Sequence, residues 1–285
     1  MKKIISYIKL CRPAHYFKNL VIFLAIFFSG NLFNLSDFSA VTLGFVSLSL
    51  MSSVNYIIND IIDKDLDKKN NEKSGRPVAS GKISIPKASF LAVIMFVLSI
   101  IIASVDLQFL LAILAFFALS VFYSLFLKNE LFLDIIAISV NFVLRAIAGA
   151  FIVGVYISPW LIIGTFFLAL FMATGKRKSE ILYLSRKAPE HRTVLKKYSH
   201  QVLDSLIPVA TTSLLLCYAL YAILGIYPVL VFTLPAALYI ILRYLFLIYS
   251  GSEKSRNASK LFTDNRLSLA VFFYIILTAI LIYIR

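Results

Sequence analysis

The 285-residue sequence has few of the residues that build a metal or redox centre. Its two cysteines, Cys11 and Cys217, are far apart and have neither ligand nor redox spacing, so we interpret both as free thiols. Its three histidines, His15, His191 and His200, also lack the spacing of metal ligands, and we expect them to be surface residues rather than catalysts. The composition therefore excludes a disulfide scaffold and gives no support to thiol or imidazole chemistry.

Charge is scarce as well, and long stretches have none. Hydrophobic residues make up 60% of the chain and aromatic residues 14%, far outside the range of a soluble globular domain. We therefore predict an integral membrane protein without a separate soluble domain. Residues 1–18 are basic but have no adjoining short apolar run with a small-residue cleavage site, so we expect a retained, cytoplasmic amphipathic segment rather than a signal peptide.

Apolar stretches of about 18 residues with little or no charge, the length that crosses a hydrocarbon core, occur nine times. Gly154 and Pro159 separate the fifth stretch from the sixth, and Gly225 and Pro228 separate the seventh from the eighth. Irregular chain cannot face lipid, so the fold class predicted is an all-α integral membrane protein, a single nine-transmembrane-helix bundle over residues 1–285. The predicted spans are residues 19–36, 38–62, 86–105, 107–127, 131–154, 159–175, 204–224, 228–248 and 267–284.

The turns on one side of this predicted bundle contain no Lys or Arg. Of the 28 Lys and Arg residues, Arg145 and Arg243 lie inside spans and Arg285 ends the chain. The other 25 lie in the amino-terminal segment and the even-numbered turns, if Lys87, the second residue of the third span, is counted with the turn that precedes it. By the positive-inside rule the amino terminus and these turns are cytoplasmic, and the carboxyl terminus is outside. The net charge of +14 then belongs to one membrane face and suits anionic lipids and phosphorylated substrates, unless the bias only sets the topology.

An acidic cluster ends the second span and begins a cytoplasmic loop, residues 63–85. If the helix continues, four side chains fall within roughly a 100° arc, while Asp65 points to the opposite side. Like charges so close repel, so we predict a bound cation, and Mg²⁺ on a phosphorylated substrate is the natural candidate. The alternative is a solvated helix end with scattered acids. The predicted magnesium ligands are Asn59, Asp60, Asp63 and Asp67.

Further candidates lie near the same membrane face, including those of a second loop, residues 175–203. Lys176 and Glu180 are four residues apart and therefore neighbours on a helix. Arg145 lies within a span, where a charge is a functional candidate by default, although it could instead pair internally with Asp134. Arg243 is expected to snorkel towards the membrane surface.

The motif Asn59-Asp60-x-x-Asp63-x-x-x-Asp67 on the second of nine helices resembles the first Asp-rich motif of the UbiA superfamily of intramembrane prenyltransferases. With more of the chain, the sequence is most similar to one branch, the decaprenyl-phosphate phosphoribosyltransferases, over nearly its full length. The segments that carry this resemblance are RPAHYFKN (12–19), GRPVASG (75–81), FYSLFLK (122–128), LDIIAISVNFVLRAIAGA (133–150), ISPW (157–160) and GKRKSE (175–180).

The resemblance implies a Mg²⁺-dependent pentosyltransferase of the cell membrane that acts in cell envelope biosynthesis. It would move 5-phosphoribose from phosphoribosyl diphosphate to a polyprenyl phosphate and release diphosphate. The implied partners are these two substrates and anionic membrane lipids, with no nucleic acid, and a homo-oligomer is left open. The chain departs from the general superfamily pattern after the sixth span, where Lys176, Arg177 and Glu180 replace a second Asp-rich motif. Extra cations there suit a reaction that brings three phosphorylated positions together.

The same resemblance implies a role for each candidate residue. Asp60, Asp63 and Asp67, helped by Asn59, would hold magnesium on the diphosphate. The implied catalytic residues are Asp60, Asp63, Asp67, Lys176, Arg177 and Glu180. Among them, Lys176 and Arg177 would clamp phosphates. The implied substrate-binding residues are Lys18 for the lipid phosphate, Arg76, Lys128 and Arg145 for phosphates, Tyr123 or Glu180 for the ribose hydroxyls, and Asn59 beside the metal.

Two other functions stay open from the sequence. One is a UbiA-type prenyltransferase that moves a prenyl group from prenyl diphosphate to an aromatic or other lipophilic acceptor. The other is a transporter that uses the acids for cations. Transporter sites usually lie near the bilayer midplane, whereas this cluster begins at the end of a span, which disfavours transport.

Overall fold

The structure, a computed structural model, describes residues 2–69, 73–184, 193–256 and 258–284. All regular secondary structure in these residues is helical, and no strand is found in them, which confirms the predicted all-α class. The chain divides into two compact units. The first comprises Met1–Lys128 and Leu144–Val155, and the second comprises Asn129–Val143 and Tyr156–Arg285.

Twelve α-helices occur in the described residues, and eight of them are long and apolar enough to cross a membrane. In chain order the α-helices are α1 (Lys2–Cys11), α2 (Leu24–Phe28), α3 (Leu35–Ile62), α4 (Lys64–Lys69), α5 (Ile85–Ala103), α6 (Leu107–Leu125), α7 (Leu133–Val153), α8 (Pro159–Leu184), α9 (His200–Leu224), α10 (Leu234–Tyr249), α11 (Glu253–Arg256) and α12 (Asn265–Tyr283). The eight candidate spans are α3, α5 to α10 and α12, with α10 extended at its start by the 3₁₀ turn Pro228–Thr233.

The first predicted span, residues 19–36, differs from a regular helix. The chain there forms a 3₁₀ segment, Pro13–Phe23, that continues directly into α2 and then turns at Gly30, whose φ is 80°. Because a 3₁₀ helix rises more steeply than an α-helix, this 16-residue run is about 30 Å long, roughly the thickness of a hydrocarbon core. The predicted nine-helix bundle is thus approximated by eight regular helices and this mixed run.

Side-chain caps and glycine or proline residues set the helix ends. Asn34 and Asp106 accept hydrogen bonds from backbone N–H groups in the first turns of α3 and α6. Gly154, with φ of 65°, follows the last residue of α7. Gly225 follows α9, and Pro228 begins the next helical segment. The breaks predicted at these glycines and prolines are therefore confirmed.

Small residues allow close helix contacts in the first unit, as is common in membrane bundles. Ser47 on α3 donates to the carbonyl oxygen of Ser99 on α5 at 2.9 Å, and Ser99 donates back to that of Ser47 at 2.8 Å. A Cβ atom at Gly149 on α7 would lie 1.9 Å from the carbonyl oxygen of Ile22, so only glycine fits there. The serine pair thus joins α3, which carries the acidic motif, to α5, and Gly149 allows α7 to approach the segment around Ile22 closely.

The second unit has its own apolar core around α8, α9 and α10. The rings of Phe171 and Tyr244 meet edge to face, with centroids 5.2 Å apart. One turn further along α8, a Cβ atom at Gly175 would lie 2.4 Å from the Cδ1 atom of Ile248. This packing holds the part of α8 that carries Lys176.

Large apolar side chains also cover much of the outer surface. Phe90 on α5 and Leu269 on α12 are 68% and 69% exposed, and many neighbours on the same helices are similar. Soluble monomers rarely expose apolar surface on this scale, whereas lipid solvates it well. Together with the eight apolar helices, this surface indicates a multi-pass membrane protein.

Candidate functional site

The acidic motif is split between two helices rather than carried by one. α3 ends at Ile62, and Asp63 caps it, donating its N–H to the carbonyl oxygen of Asn59 at 2.9 Å. α4 then begins at Lys64, so the predicted continuous face holds only as far as Asp63. The position of Asp67 is therefore set by the turn between the helices.

Asp60 and Asp67 nevertheless meet, because one arginine binds both. The Nη1 atom of Arg76 lies 3.1 Å from Asp60 Oδ1 and 2.6 Å from Asp67 Oδ2. Asp60 also accepts a hydrogen bond from Arg12, and both carboxylates are at most 2% exposed. Arg76 thus links two acids that the interrupted helix does not place on one continuous face.

Arg12 contacts the acidic motif and was not among the sequence candidates. Its guanidinium binds Asp60 and lies 5.0 Å from the ring centroid of Tyr56. Its backbone adopts the left-handed conformation, with φ of 53°, at the start of the segment Pro13–Phe23. The only sequence signal was its place at the start of the family-like stretch RPAHYFKN, since ion pairs between residues 48 positions apart leave no local pattern.

Asp63 has a different partner. Its carboxylate binds the Nζ atom of Lys128, just beyond α6, and the two side chains are 17% and 13% exposed. Asp65, two residues further, is 89% exposed and lies 3.9 Å from Lys68. The structure therefore separates Asp63 from Asp65, and it gives Asp63 a different cation from the two that bind Asp60.

The donor set of the motif fits magnesium if the protein supplies only part of the coordination shell. Within the described residues, no group of three or more His, Cys, Asp or Glu side chains is arranged to hold a metal ion. Asp60 Oδ2, however, is buried and has no hydrogen-bond partner in the described part of the chain. Mg²⁺ prefers oxygen ligands and needs only one or two carboxylates when substrate phosphates and water complete its shell.

The remaining candidates of the first unit lie on four of its helical elements, the 3₁₀ segment Pro13–Phe23, α3, α6 and α7. Lys18 is partly buried on the 3₁₀ segment, and Asn59 and Tyr123 are partly buried on α3 and α6. Arg145 is 8% exposed, and its guanidinium lies 4.8 Å from the ring centroid of Phe116. A cation within a span is thus stacked on an aromatic ring instead of facing lipid.

In the second unit, Arg177 is held by two carboxylates. Its Nε atom donates to Asp134 Oδ2 at 2.8 Å, and its Nη1 atom donates to Glu180 Oε2 at 2.9 Å. Lys176, the neighbour of Glu180 by helical spacing, lies 3.9 Å from it and is 43% exposed. Arg177 is 1% exposed, so its environment is that of a buried ion pair rather than of an open phosphate clamp.

Asp134 and Tyr198 complete this buried cluster. The hydroxyl of Tyr198 donates to Asp134 Oδ1 at 2.7 Å and accepts from the backbone N–H of Phe132 at 3.2 Å. Burial, followed by the hydrogen bond to Asp134, raises the pKa of Tyr198 well above its usual value. The tyrosine therefore stays protonated and remains a donor at neutral pH.

Other sequence candidates have structural partners. Arg243 donates to both carboxylate oxygens of Asp264 at 3.0 and 2.8 Å, so it pairs instead of only snorkelling. Hydrogen bonding to Arg243 holds the pKa of Asp264 well below its usual range. His200 lies 3.2 Å from the Nζ atom of Lys178, and His191, like residues 70–72 and 185–192 of the two predicted loops, lies outside the described residues.

Comparison with known proteins identifies the family of the chain. The sequence model of the UbiA prenyltransferase family matches residues 19–276. A decaprenyl-phosphate phosphoribosyltransferase from Mycolicibacterium smegmatis is 32% identical over 222 residues, which are 75% of this chain and 69% of that protein. A protein of the same name from Mycobacterium tuberculosis is 29% identical over 220 residues, 75% of this chain and 73% of that protein.

Solved structures show the same fold. A UbiA homologue from Archaeoglobus fulgidus, bound to GPP and Mg²⁺, superposes with a TM-score of 0.76 at 23% identity and covers 97% of this chain and 99% of that one. A UbiA homologue from Aeropyrum pernix K1 superposes with a TM-score of 0.65 at 14% identity and covers 95% and 97%. The predicted resemblance is thus confirmed at the level of the family and the fold, and this multi-pass membrane protein belongs to the UbiA prenyltransferase family.

Proposed function

We propose that the protein transfers 5-phosphoribose from phosphoribosyl diphosphate to a membrane polyprenyl phosphate and releases diphosphate. The observation that carries this proposal is the set of cations bound to the acidic motif, Arg12, Arg76 and Lys128. They already balance its three carboxylates, so a magnesium ion would give the site a net positive charge. A donor with two phosphorylated ends and an acceptor with a third bring an unusually large negative charge, which such a site suits.

The relatives support the same reaction. Proteins named decaprenyl-phosphate phosphoribosyltransferase from two genera are similar to this chain over three quarters of its length. The position after the sixth predicted span points the same way, because it holds Lys176 and Arg177 where a second acid cluster would bind a further metal. Both observations favour a phosphoribosyl donor over a prenyl diphosphate.

In the proposed reaction an oxygen of the lipid phosphate attacks the anomeric carbon of phosphoribosyl diphosphate. The bond between this carbon and the diphosphate oxygen breaks, and diphosphate leaves with the electron pair. No general base is required, because a phosphate monoester with a second pKa near 6 is mostly ionised at neutral pH. The ribose passes through an oxocarbenium-like state, and a single displacement converts the α-donor into a β-linked product.

The acidic motif would stabilise the leaving group. Asn59, Asp60, Asp63 and Asp67 are the residues that would hold Mg²⁺, which when bound neutralises charge on the diphosphate. Arg76 keeps Asp60 and Asp67 together and presents its guanidinium beside them. We assign it to the diphosphate, since planar guanidinium groups bind phosphate oxygens in pairs.

Phosphate binding in the first unit would also use Lys128, Arg145 and Lys18. Lys128 is held at the motif by Asp63, and Arg145 by its stacking on Phe116. Lys18, at the end of the basic amino-terminal segment, is assigned to the lipid phosphate. These side chains add positive charge on elements that share the first unit with the motif.

In the second unit, Lys176 is assigned to phosphate because it is the more exposed of the two adjacent cations. Arg177 is a positioning residue in this scheme, because its bonds to Asp134 and Glu180 fix the Glu180 carboxylate. Either Glu180 or, in the first unit, Tyr123 is assigned to the ribose hydroxyls. We further propose that the amino terminus and the site face the cytoplasm, the side on which phosphoribosyl diphosphate is made.

The direct test supplies the purified protein with Mg²⁺, labelled phosphoribosyl diphosphate and a polyprenyl phosphate, in parallel with prenyl diphosphate and an aromatic acceptor. We expect label to enter the lipid fraction in the first reaction, only when polyprenyl phosphate is present, and to be lost on chelation of the metal. Consumption of prenyl diphosphate alone would refute the proposal and establish the prenyltransferase alternative.

A further inference from the structure

Asn55 is a buried amide that the proposed mechanism does not yet use. It lies on α3, one turn before the acidic motif, and both its Nδ2 and its Oδ1 atom are buried. Neither atom has a hydrogen-bond partner within the described residues. Burying a polar side chain without partners is unfavourable, so its retention in an apolar helix calls for a ligand.

The helix aligns Asn55 with the motif. Residues four apart on an α-helix differ by about 40° in direction, so Asn55, Asn59 and Asp63 form one stripe along α3. Asn55 is the deepest of the three, about 6 Å along the axis from Asn59. A substrate whose diphosphate is held at the Asp63 end would therefore extend its next group towards Asn55.

The chemistry of the amide selects what that group is. Nδ2 can donate two hydrogen bonds and Oδ1 can accept. An ionised phosphate would satisfy Nδ2 and leave Oδ1 unpaired, and a prenyl chain would satisfy neither. A sugar hydroxyl both donates and accepts and can satisfy both atoms.

We propose that Asn55 binds a ribose hydroxyl of the donor and selects a sugar diphosphate over a prenyl diphosphate. This inference rests on the proposed phosphoribosyl transfer. It adds a specificity-determining residue to the Asp-rich motif, one turn deeper in the membrane-spanning helix.

The experiment measures kcat/KM for phosphoribosyl diphosphate and for its 2-deoxy and 3-deoxy analogues with the wild type, Asn55→Ala and Asn55→Leu. We expect each Asn55 variant to lose about 10- to 100-fold with the natural donor. With the analogue that lacks the bound hydroxyl, the variants should lose nothing beyond the wild type's own loss on that analogue. Leucine is close to asparagine in size, so it tests the same contact if the alanine variant folds poorly.

Asn19 provides a matched control, because it is a buried asparagine with satisfied hydrogen bonds. Its Nδ2 donates to Ser49 Oγ at 3.1 Å, and its Oδ1 accepts from Ser52 Oγ at 3.3 Å. Asn19→Ala should lower the melting temperature in detergent and change kcat/KM by the same factor for all three donors. Asn55→Ala should differ between donors.

The outcomes separate this inference from the proposed function. A wild type that does not use phosphoribosyl diphosphate refutes both. A wild type that uses it, with Asn55 variants that are unaffected or equally impaired with every donor, refutes only the role of Asn55. A loss confined to donors that carry one particular hydroxyl supports the role and identifies the hydroxyl.

Discussion

Replacing Asp63 by asparagine tests two roles of one carboxylate, its ion pair with Lys128 and its proposed part in holding magnesium. The substitution keeps the size of the side chain but removes the charge that binds Lys128 and that would hold magnesium against the diphosphate. Losing one preorganised electrostatic contact in a catalytic site costs on the order of 10² to 10³ in rate. We expect a loss of this size in phosphoribosyl transfer by Asp63→Asn at matched expression and saturating magnesium.

The ion pair is tested by changing its other member. The Asp63 and Lys128 side chains are 17% and 13% exposed, so breaking this partly buried pair should itself cost about 1–3 kcal/mol of stability in either variant. If Asp63 acted only through Lys128, then Lys128→Gln, Asp63→Asn and the double variant would show the same activity. If Asp63 also holds the metal, Asp63→Asn should raise the magnesium concentration for half-maximal rate, and Lys128→Gln should not.

Asp65→Asn is the matched control for position. Asp65 is 89% exposed, and its only described ion pair is the 3.9 Å contact with Lys68, so the substitution should change the rate less than about twofold. A large loss at Asp65 as well as at Asp63 would mean that the turn between α3 and α4 rebuilds when substrate binds. Full activity of Asp63→Asn would refute the assignment of the motif to magnesium.

Three further outcomes follow from the contacts described above. Arg177→Met should lower the melting temperature strongly, because leaving the buried Asp134 carboxylate without its cation costs about 3–5 kcal/mol. Adding Asp134→Asn should restore part of the lost stability. A double variant that is less stable than Arg177→Met would contradict this explanation. In a cysteine-free protein, Ser36→Cys, next to the α3 cap, should react with an impermeant thiol reagent added outside cells and Lys82→Cys should not; the reverse pattern would invert the proposed topology. Asp264→Asn keeps an oxygen that can cap α12 but removes the negative charge. Because the pKa of Asp264 is lowered in the folded state, its carboxylate contributes stability above the unfolded pKa of about 3.9. This contribution is lost as pH falls towards the folded pKa. The difference in melting temperature between wild type and Asp264→Asn should thus be constant from pH 5 to 8 and shrink only below about pH 4. A difference that changes near pH 7 would mean that another group causes the pH dependence.

The membrane spans were predictable because their signal is local. A run of apolar residues makes its own backbone hydrogen bonds as a helix wherever it lies in the chain, so eight of nine spans follow from composition. The exception is the first predicted span, residues 19–36, where the chain forms a run of about the expected length but not a regular α-helix. Pro13 begins a 3₁₀ segment there, and the close approach of Ile22 to Gly149 involves residues that are distant in sequence.

The acidic motif was predictable only in part. Helical spacing places Asn59, Asp60 and Asp63 correctly as far as α3 extends, and the exposure of Asp65 agrees with its predicted direction. The turn at Asp63 removes the periodicity for Asp67, whose burial depends on Arg76. Angles on a helix hold only while its hydrogen bonds continue, and where they stop, contacts with other segments decide.

The sequence by itself determined the class of the protein, the positions of its helices and the concentration of positive charge in alternate turns. Each of these depends on residues that are neighbours in the chain or on counts of residue types. The tertiary structure decided the partners: Arg12 and Arg76 on Asp60, Lys128 on Asp63, and Asp134 with Glu180 on Arg177. Most of these pairs join residues that are 16 to 65 positions apart. Ion pairs form wherever packing brings opposite charges together, and packing depends on how whole helices fit, which no local pattern encodes.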